Sequence, residues 1–194
     1  AADPNMVDKP ELAAEIFSKA FGKPKEEYLA KLTSQNTSFI YLERRIDADK
    51  VNGLDTLNMN GVIVLKEPKR VYNYGNLASQ VLGFTNIDNK GQTGIELSMD
   101  NELAGKEGFI IMQRDGRGNN RPSLEFPTKD SENGNNLVLT LDINIQRFAE
   151  EELAEGVKNF NAAGGKVIVQ AVKTGEVLAM SSYPTFDPNN ISVA

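Results

Sequence analysis

The chain has 194 residues, 40% of them hydrophobic and 25% charged, which is the make-up of one folded domain or two small ones rather than of a disordered or fibrous protein. Its net charge of −6 comes from 27 acidic against 21 basic side chains with no block of like charge, which argues against nucleic-acid binding. Histidine, cysteine and tryptophan are absent. Imidazole and thiolate nucleophile pairs, the common zinc sites and disulfides are therefore excluded, and only carboxylates, Lys, Tyr, Ser or Thr remain for chemistry. No run of about 18 apolar residues occurs, as a bilayer span would need, and Ala1-Ala2-Asp3-Pro4 lacks the charged and apolar regions of a signal peptide.

Residues 8 to 22 predict a helix, with Asp8 as cap, Pro10 in the first turn, Leu12, Ile16 and Ala20 on one stripe and Gly22 as the stop. A second helix follows Pro24, with Tyr28 and Leu32 on one face. Phe39 to Leu42 and Val62 to Leu65 read as short strands, with a helix from Asp47 to Leu57 between them. From Arg70 to Arg121 recurrent glycines break the chain into short pieces that cannot be long helices. Phe109 to Arg114 reads as a strand entering an Asp115-Gly116 turn. Gly116-x-Gly118 lacks the third glycine and the helix of a phosphate cradle, so turn chemistry accounts for it. The polar stretch from Phe126 to Asn136 reads as a linker, which places a domain boundary near residue 135.

Beyond it, Leu137 to Leu141 reads as a strand and Asp142 as the cap of a helix reaching about Asn161. Ile145, Ala149, Leu153, Val157 and Phe160 form its apolar stripe. Two strands then follow, Lys166 to Val172 and Glu176 to Ser182, joined by a Lys173-Thr174-Gly175 turn. Such a strand, helix and hairpin unit leaves a sheet edge and half a helix uncovered, so a larger domain is expected to begin here and to be truncated at Ala194.

Two sets of motifs carry a family resemblance. Leu137 to Gln146, Ala149-Glu150, Leu153 and Thr174 to Asn189, including Tyr183-Pro184-Thr-Phe-Asp187-Pro-Asn189, resemble the opening of the penicillin-binding transpeptidase domain. Upstream, Arg70-Val-Tyr72, Gly75, Leu77-Ala78, Val81-Leu-Gly83-Phe-Thr-Asn86, Gly91-x-x-Gly94-Ile-Glu96 and Leu103-Ala-Gly105-Lys-x-Gly108 are similar to the pedestal, or dimerisation, domain of class B penicillin-binding proteins. Phe39 to Ile46 fits the head of that pedestal more loosely, and Asn73 stands where the family usually has proline.

The resemblance implies an α+β fold with a non-catalytic pedestal over residues 1–135 and the first elements of a transpeptidase domain over 136–194. It implies a parent that is a membrane-anchored serine peptidoglycan D,D-transpeptidase, cross-linking cell-wall peptides and binding β-lactams outside the cytoplasmic membrane. The parent's expected partners are a SEDS-type glycosyltransferase and other divisome or elongasome membrane proteins. The family's pedestal begins with an Arg-Gly-rich segment that precedes this sequence. Gly83-Phe84-Thr85-Asn86 and Pro188-Asn189-Asn190 lean towards the cell-division branch. The rival reading is a free-standing cell-envelope adaptor with no catalytic domain.

No catalytic residue, cofactor or metal is assigned. No serine is followed three residues later by lysine, so the family's Ser-x-x-Lys nucleophile is absent. Lys173-Thr174-Gly175, Ser34-Gln35-Asn36 and Ser131-Glu132-Asn133 spell other motifs of the family but fall in turns and polar loops outside the expected regions. Glu96 with Asp100, or Glu150-Glu151-Glu152, could suggest a carboxylate pair for glycoside hydrolysis, though the run reads more simply as a solvated helix face. The resemblance instead makes Arg70, Gly94 and Glu96 a structural brace of the pedestal, with Arg70 and Glu96 as a half-buried pair, against the alternative of two independent surface charges. On that reading Glu96→Ala leaves a guanidinium unpartnered, at about 2–4 kcal/mol.

Overall fold

Pro10 starts the first helix because its missing N–H is one that a helix start leaves unpaired anyway. The computed structural model describes residues 1–35, 37–51, 59–109, 112–114, 120–122 and 128–191. They fall into two compact units, residues 1–69 and 70–194.

In the first unit, α1 (Pro10–Phe21) ends at Gly22, which takes the left-handed conformation at φ 74°, and α2 (Lys25–Leu32) packs back on it. Asp8 does not cap α1. The helix begins one residue too late, its cap position is Lys9, and Asp8 instead accepts from the Asn60 amide. The buried face of α1 is Ala13, Ala14 and Phe17 rather than Leu12, Ile16 and Ala20, and Leu12 is exposed. The periodicity allows either stripe, and the aromatic partners decide between them: Phe17 and Phe21 pack against the ring of Tyr28. Tyr28 and Leu32 are buried as expected, and with Ala2 and Leu42 they complete the core.

The two expected strands of this unit are single bridges. Ile40 and Val62 each pair with Ala2, so one residue serves both segments, and beside Val62 the pairing reaches one residue further, where Ala1 and Ile63 exchange two backbone bonds at 2.9 Å. Of the expected helix from Asp47 to Leu57, α3 (Ala48–Val51) is present and 52–57 lie outside the described residues.

In the second unit the glycine-broken stretch forms α4 (Ser79–Leu82), α5 (Gly94–Ser98) and α6 (Asp100–Leu103). An antiparallel hairpin follows, β1 (Met112–Arg114) with β2 (Asn120–Pro122), while its predicted Asp115-Gly116 turn and Gly118 lie outside the described residues. The described part of the expected linker is not free chain. Phe109 pairs with Lys129 and Lys106 with Glu132, and Asn135 bonds to Glu102 through both its backbone and its side chain. Polar side chains there mark an exposed paired segment, because a ladder needs only backbone groups.

Asp142 caps α7 (Ile143–Asn159) by accepting from the backbone N–H groups of Asn144 and Ile145 at 2.8 and 3.1 Å. The helix packs on a hairpin of β3 (Gly165–Gln170) and β4 (Val177–Tyr183), whose Lys173-Thr174-Gly175 link is a turn, as the sequence implies. Ala149 and Val157 are buried as predicted, whereas Phe160 lies past the helix end and is 85% exposed. Residues 137–141 form no strand. Only Thr140 and Asp142 reach the adjacent hairpin, bonding to the carbonyls of Val177 and Leu178.

Candidate functional site

Short helices bury little apolar area, so their arrangement in the second unit rests on close backbone approach and directional polar contacts. Gly83 and Gly94 face each other at the junction of α4 and α5, with φ of 77° and 59°. A Cβ on Gly94 would lie 2.5 Å from the Val81 carbonyl oxygen, and one on Gly83 would collide with the Thr93 carbonyl. Only glycine fits either position. That contact presents Glu96, on the first turn of α5, to Arg70.

Arg70 holds the Glu96 carboxylate with two forks, Nε to Oε1 at 2.7 Å and Nη2 to Oε2 at 3.2 Å. The Tyr72 hydroxyl adds a third donor at 3.3 Å. Glu96 is nearly buried, with 9% of its side chain exposed against 43% for Arg70. The hydrogen bond to Glu96 raises the pKa of Arg70 further. Burial, and then the charge of Glu96, pushes the Tyr72 phenol above its ordinary value. The three residues of the expected brace, Arg70, Gly94 and Glu96, thus lie together around α5. Asp100 accepts the Gly91 N–H at 2.8 Å, so both carboxylates considered for hydrolysis hold structure.

A second set of contacts, which sequence reasoning missed, joins residues 72–84 to α7, β4 and the segment after β4. Gln146, only 1% exposed, exchanges two hydrogen bonds with the Met180 backbone at 2.8 and 2.9 Å. Its amide also donates to Glu150, whose same oxygen accepts the Ala78 N–H at 2.7 Å. Glu150 is therefore not part of a solvated face, unlike the exposed Glu151 and Glu152 beside it. Fully buried Ser79 meets the Thr185 hydroxyl at 2.8 Å, and the Gln80 amide donates to the Pro184 carbonyl. Asn189 takes both backbone groups of Tyr72, and Phe84 packs edge-on against Phe186. The only hint in the sequence was that Gln146 and Glu150 stand one turn apart on the side of α7 that carries Ala149.

A cleft of about 600 Å³ with a mixed polar and apolar lining opens beside these contacts, bordered by Tyr74, Leu77, Arg147, Glu151, Leu153 and Ser182 among others. Among the described residues no group of His, Cys, Asp or Glu could hold a metal. Ser34 belongs to the first unit, Ser131 to the paired segment 129–132 and Lys173 to the turn after β3. At the junction Glu96, Asp100 and Glu150 each hold one chain segment to another.

The fold has a known class. Residues 2–139 match the penicillin-binding protein dimerisation domain, and the chain belongs to that family. It is 38% identical over 191 residues to the "Probable peptidoglycan D,D-transpeptidase PenA" of Neisseria gonorrhoeae, covering 97% of this chain and 33% of that protein. With the peptidoglycan D,D-transpeptidase FtsI of Escherichia coli it shares 32% over 177 residues, 91% of this chain and 30% of that one. The fold is similar to penicillin binding protein 2X from Streptococcus thermophilus at a TM-score of 0.62 and 25% identity, over 94% of this chain and 29% of that one. A peptidoglycan synthetase from Bifidobacterium adolescentis aligns at a TM-score of 0.58 and 26% identity, over 93% and 33% of the two chains. The chain thus spans about a third of the length of the curated relatives it matches.

Proposed function

We propose that this chain is the non-catalytic positioning and regulatory region of a class B penicillin-binding protein of the cell-division branch, together with the opening of its transpeptidase domain. The boundary lies near residue 135, and the family match ending at residue 139 supports it. Arg70, Gly94 and Glu96 brace the pedestal. One observation carries the reading: residues 72–84 grip α7, β4 and Pro184 to Asn189, the elements that resemble the start of the catalytic domain. A scaffold segment that binds the first elements of the next domain is placed to fix the geometry of whatever that domain carries.

The parent is a serine peptidoglycan D,D-transpeptidase. Its serine adds to a stem-peptide carbonyl, the terminal amino acid leaves with the proton, and an acceptor amine takes the acyl group and returns a proton to the serine. It acts on the outer side of the cytoplasmic membrane, held by an anchor outside the described residues, none of whose helices is long and apolar enough to cross a membrane. A SEDS-type glycosyltransferase and other divisome membrane proteins are its partners, and the FtsI name of several relatives supports the division branch. Fluorescent penicillin tests the reading. The full-length parent is expected to be labelled at one serine within a Ser-x-x-Lys motif, and this 194-residue chain is expected to remain unlabelled. An unlabelled parent would overturn the transpeptidase reading.

A further inference from the structure

Asn189 makes an unusual pair of contacts for an exposed side chain. Its Oδ1 accepts the Tyr72 N–H at 2.9 Å and its Nδ2 donates to the Tyr72 carbonyl at 2.9 Å. The amide thereby does for Tyr72 what a neighbouring strand would do, satisfying both backbone groups from one side chain. Its orientation is unambiguous, since a flipped amide would set donor against donor and acceptor against acceptor. The amide is held in turn by Asp187, whose Oδ1 accepts from the Asn189 backbone N–H at 2.9 Å and from Nδ2 at 3.1 Å. At its other end Tyr72 reaches Glu96 through its hydroxyl, and Glu96 is held by Arg70. One continuous chain of hydrogen bonds therefore runs from Asp187 through Asn189, Tyr72 and Glu96 to Arg70.

We propose that Asn189 is a positioning residue for acyl transfer in the parent, clamping the chain that leaves β4 to the Arg70–Glu96 centre and so setting where the following catalytic elements start. The proposal rests on the transpeptidase reading. Asp cannot replace Asn at this place, because a carboxylate keeps an acceptor for the Tyr72 N–H but turns the second contact into a repulsion from the Tyr72 carbonyl and from Asp187. Because Asn189 is exposed, water competes for each bond, so the clamp governs geometry more than folding.

The test uses the full-length parent, as wild type, Asn189→Ala and Asn189→Asp, reacted with fluorescent penicillin. Three quantities are separated: the acylation rate at saturating penicillin, the concentration giving half that rate, and the fraction of protein labelled. Both variants are expected to lose roughly 10- to 100-fold in the saturating rate, as for a displaced reacting group. The half-saturating concentration and the labelled fraction are expected to stay near wild type. A wild-type rate in the variants overturns the proposal. So does a reduced labelled fraction that reacts at the wild-type rate, or failure of both variants to fold, since either makes Asn189 structural only. A wild-type parent that takes no label is a different failure, that of the transpeptidase reading itself.

Discussion

Glu96 is almost buried while Arg70 is not, and this asymmetry decides which truncation is the more damaging. Glu96→Ala leaves a guanidinium that water can reach, so the loss of about 2–4 kcal/mol that a shielded guanidinium implies falls to about 1 kcal/mol, as for a partly exposed pair. Arg70→Ala leaves a shielded carboxylate with the Tyr72 hydroxyl as its remaining side-chain donor, at an expected 2–3 kcal/mol or about that. Urea unfolding of both single variants and the double variant measures the order and the coupling, and equal small losses would leave the junction to packing alone. In the first unit, Glu43 accepts from both Tyr28 and Lys23 at 2.7 Å. Burial opposes the charge of Glu43, but the bonds from Lys23 and Tyr28 outweigh it and hold the carboxyl below the ordinary range. A depressed folded pKa means that the unfolded chain binds the proton first. This stabilisation is complete above about pH 4.3, the unfolded value, and is lost as pH falls through the folded one. The Tyr28 phenol is shifted upward, first by burial and then by its bond to Glu43. Its contribution is present below about pH 10 and fades as pH rises, because the unfolded phenol ionises first. Glu43→Gln is therefore expected to flatten the acid limb of a stability profile and Tyr28→Phe the alkaline limb. Unchanged limbs would mean that other groups set them.

At the scale of elements, α7 shows how one polar contact separates three identical residues. Glu150 holds both the Ala78 N–H and the Gln146 amide, whereas Glu151 and Glu152 are exposed. Glu150→Ala is expected to lose about 1–3 kcal/mol, because two shielded donors lose their acceptor. Glu151→Ala and Glu152→Ala should stay within about 0.5 kcal/mol. Gln146→Ala is expected to be worse than either class, about 2–4 kcal/mol, since it unpairs both backbone groups of Met180 and opens a small cavity. Lys173→Ala, in the exposed turn after β3, should also stay within about 0.5 kcal/mol. Thermal or urea unfolding of the five variants gives the ranking, and a uniform response across the three glutamates would show that the junction does not depend on Glu150.

For the whole molecule, packing divides the chain between residues 69 and 70, not near the boundary that the resemblance implies. The family resemblance draws its boundary near residue 135, yet residues 70–194 form one compact unit because the contacts of 72–84 lie beyond that boundary. Residues 1–135 expressed alone are therefore expected to lose hydrogen-exchange protection at Leu82 and Gly83, whose bonds to Ala78 and Ser79 close α4. Residues 70–194 should keep that protection. Equal protection in the two pieces would show that α4 is held by its own glycine-mediated contacts with α5, without help from α7 and β4.

The local signals in the sequence were those that need no distant partner. Pro10 and Gly22 bound α1, Asp142 caps α7, and Thr174-Gly175 turns the β3–β4 hairpin, since each acts through the backbone of its own few residues. The α+β class and the family could be read for the same reason, from ordered runs such as Gly91 to Glu96 and Tyr183 to Asn189. Apolar spacing placed Ala149 and Val157 correctly but misplaced the stripe of Leu12, Ile16 and Ala20 and the burial of Phe160. The α1 face followed from where Tyr28 packs, and Phe160 was left in water because its helix ends one residue earlier. Gln146, Glu150 and Asn189 acquire their roles from backbone groups 34 to 117 positions away, and a side chain that pairs with backbone leaves no complementary residue for a pattern to reveal. Tertiary structure alone decided that polar residues of ordinary appearance join residues 72–84 to α7 and to the chain after β4, because hydrogen bonds to distant backbone leave no periodic trace in a sequence.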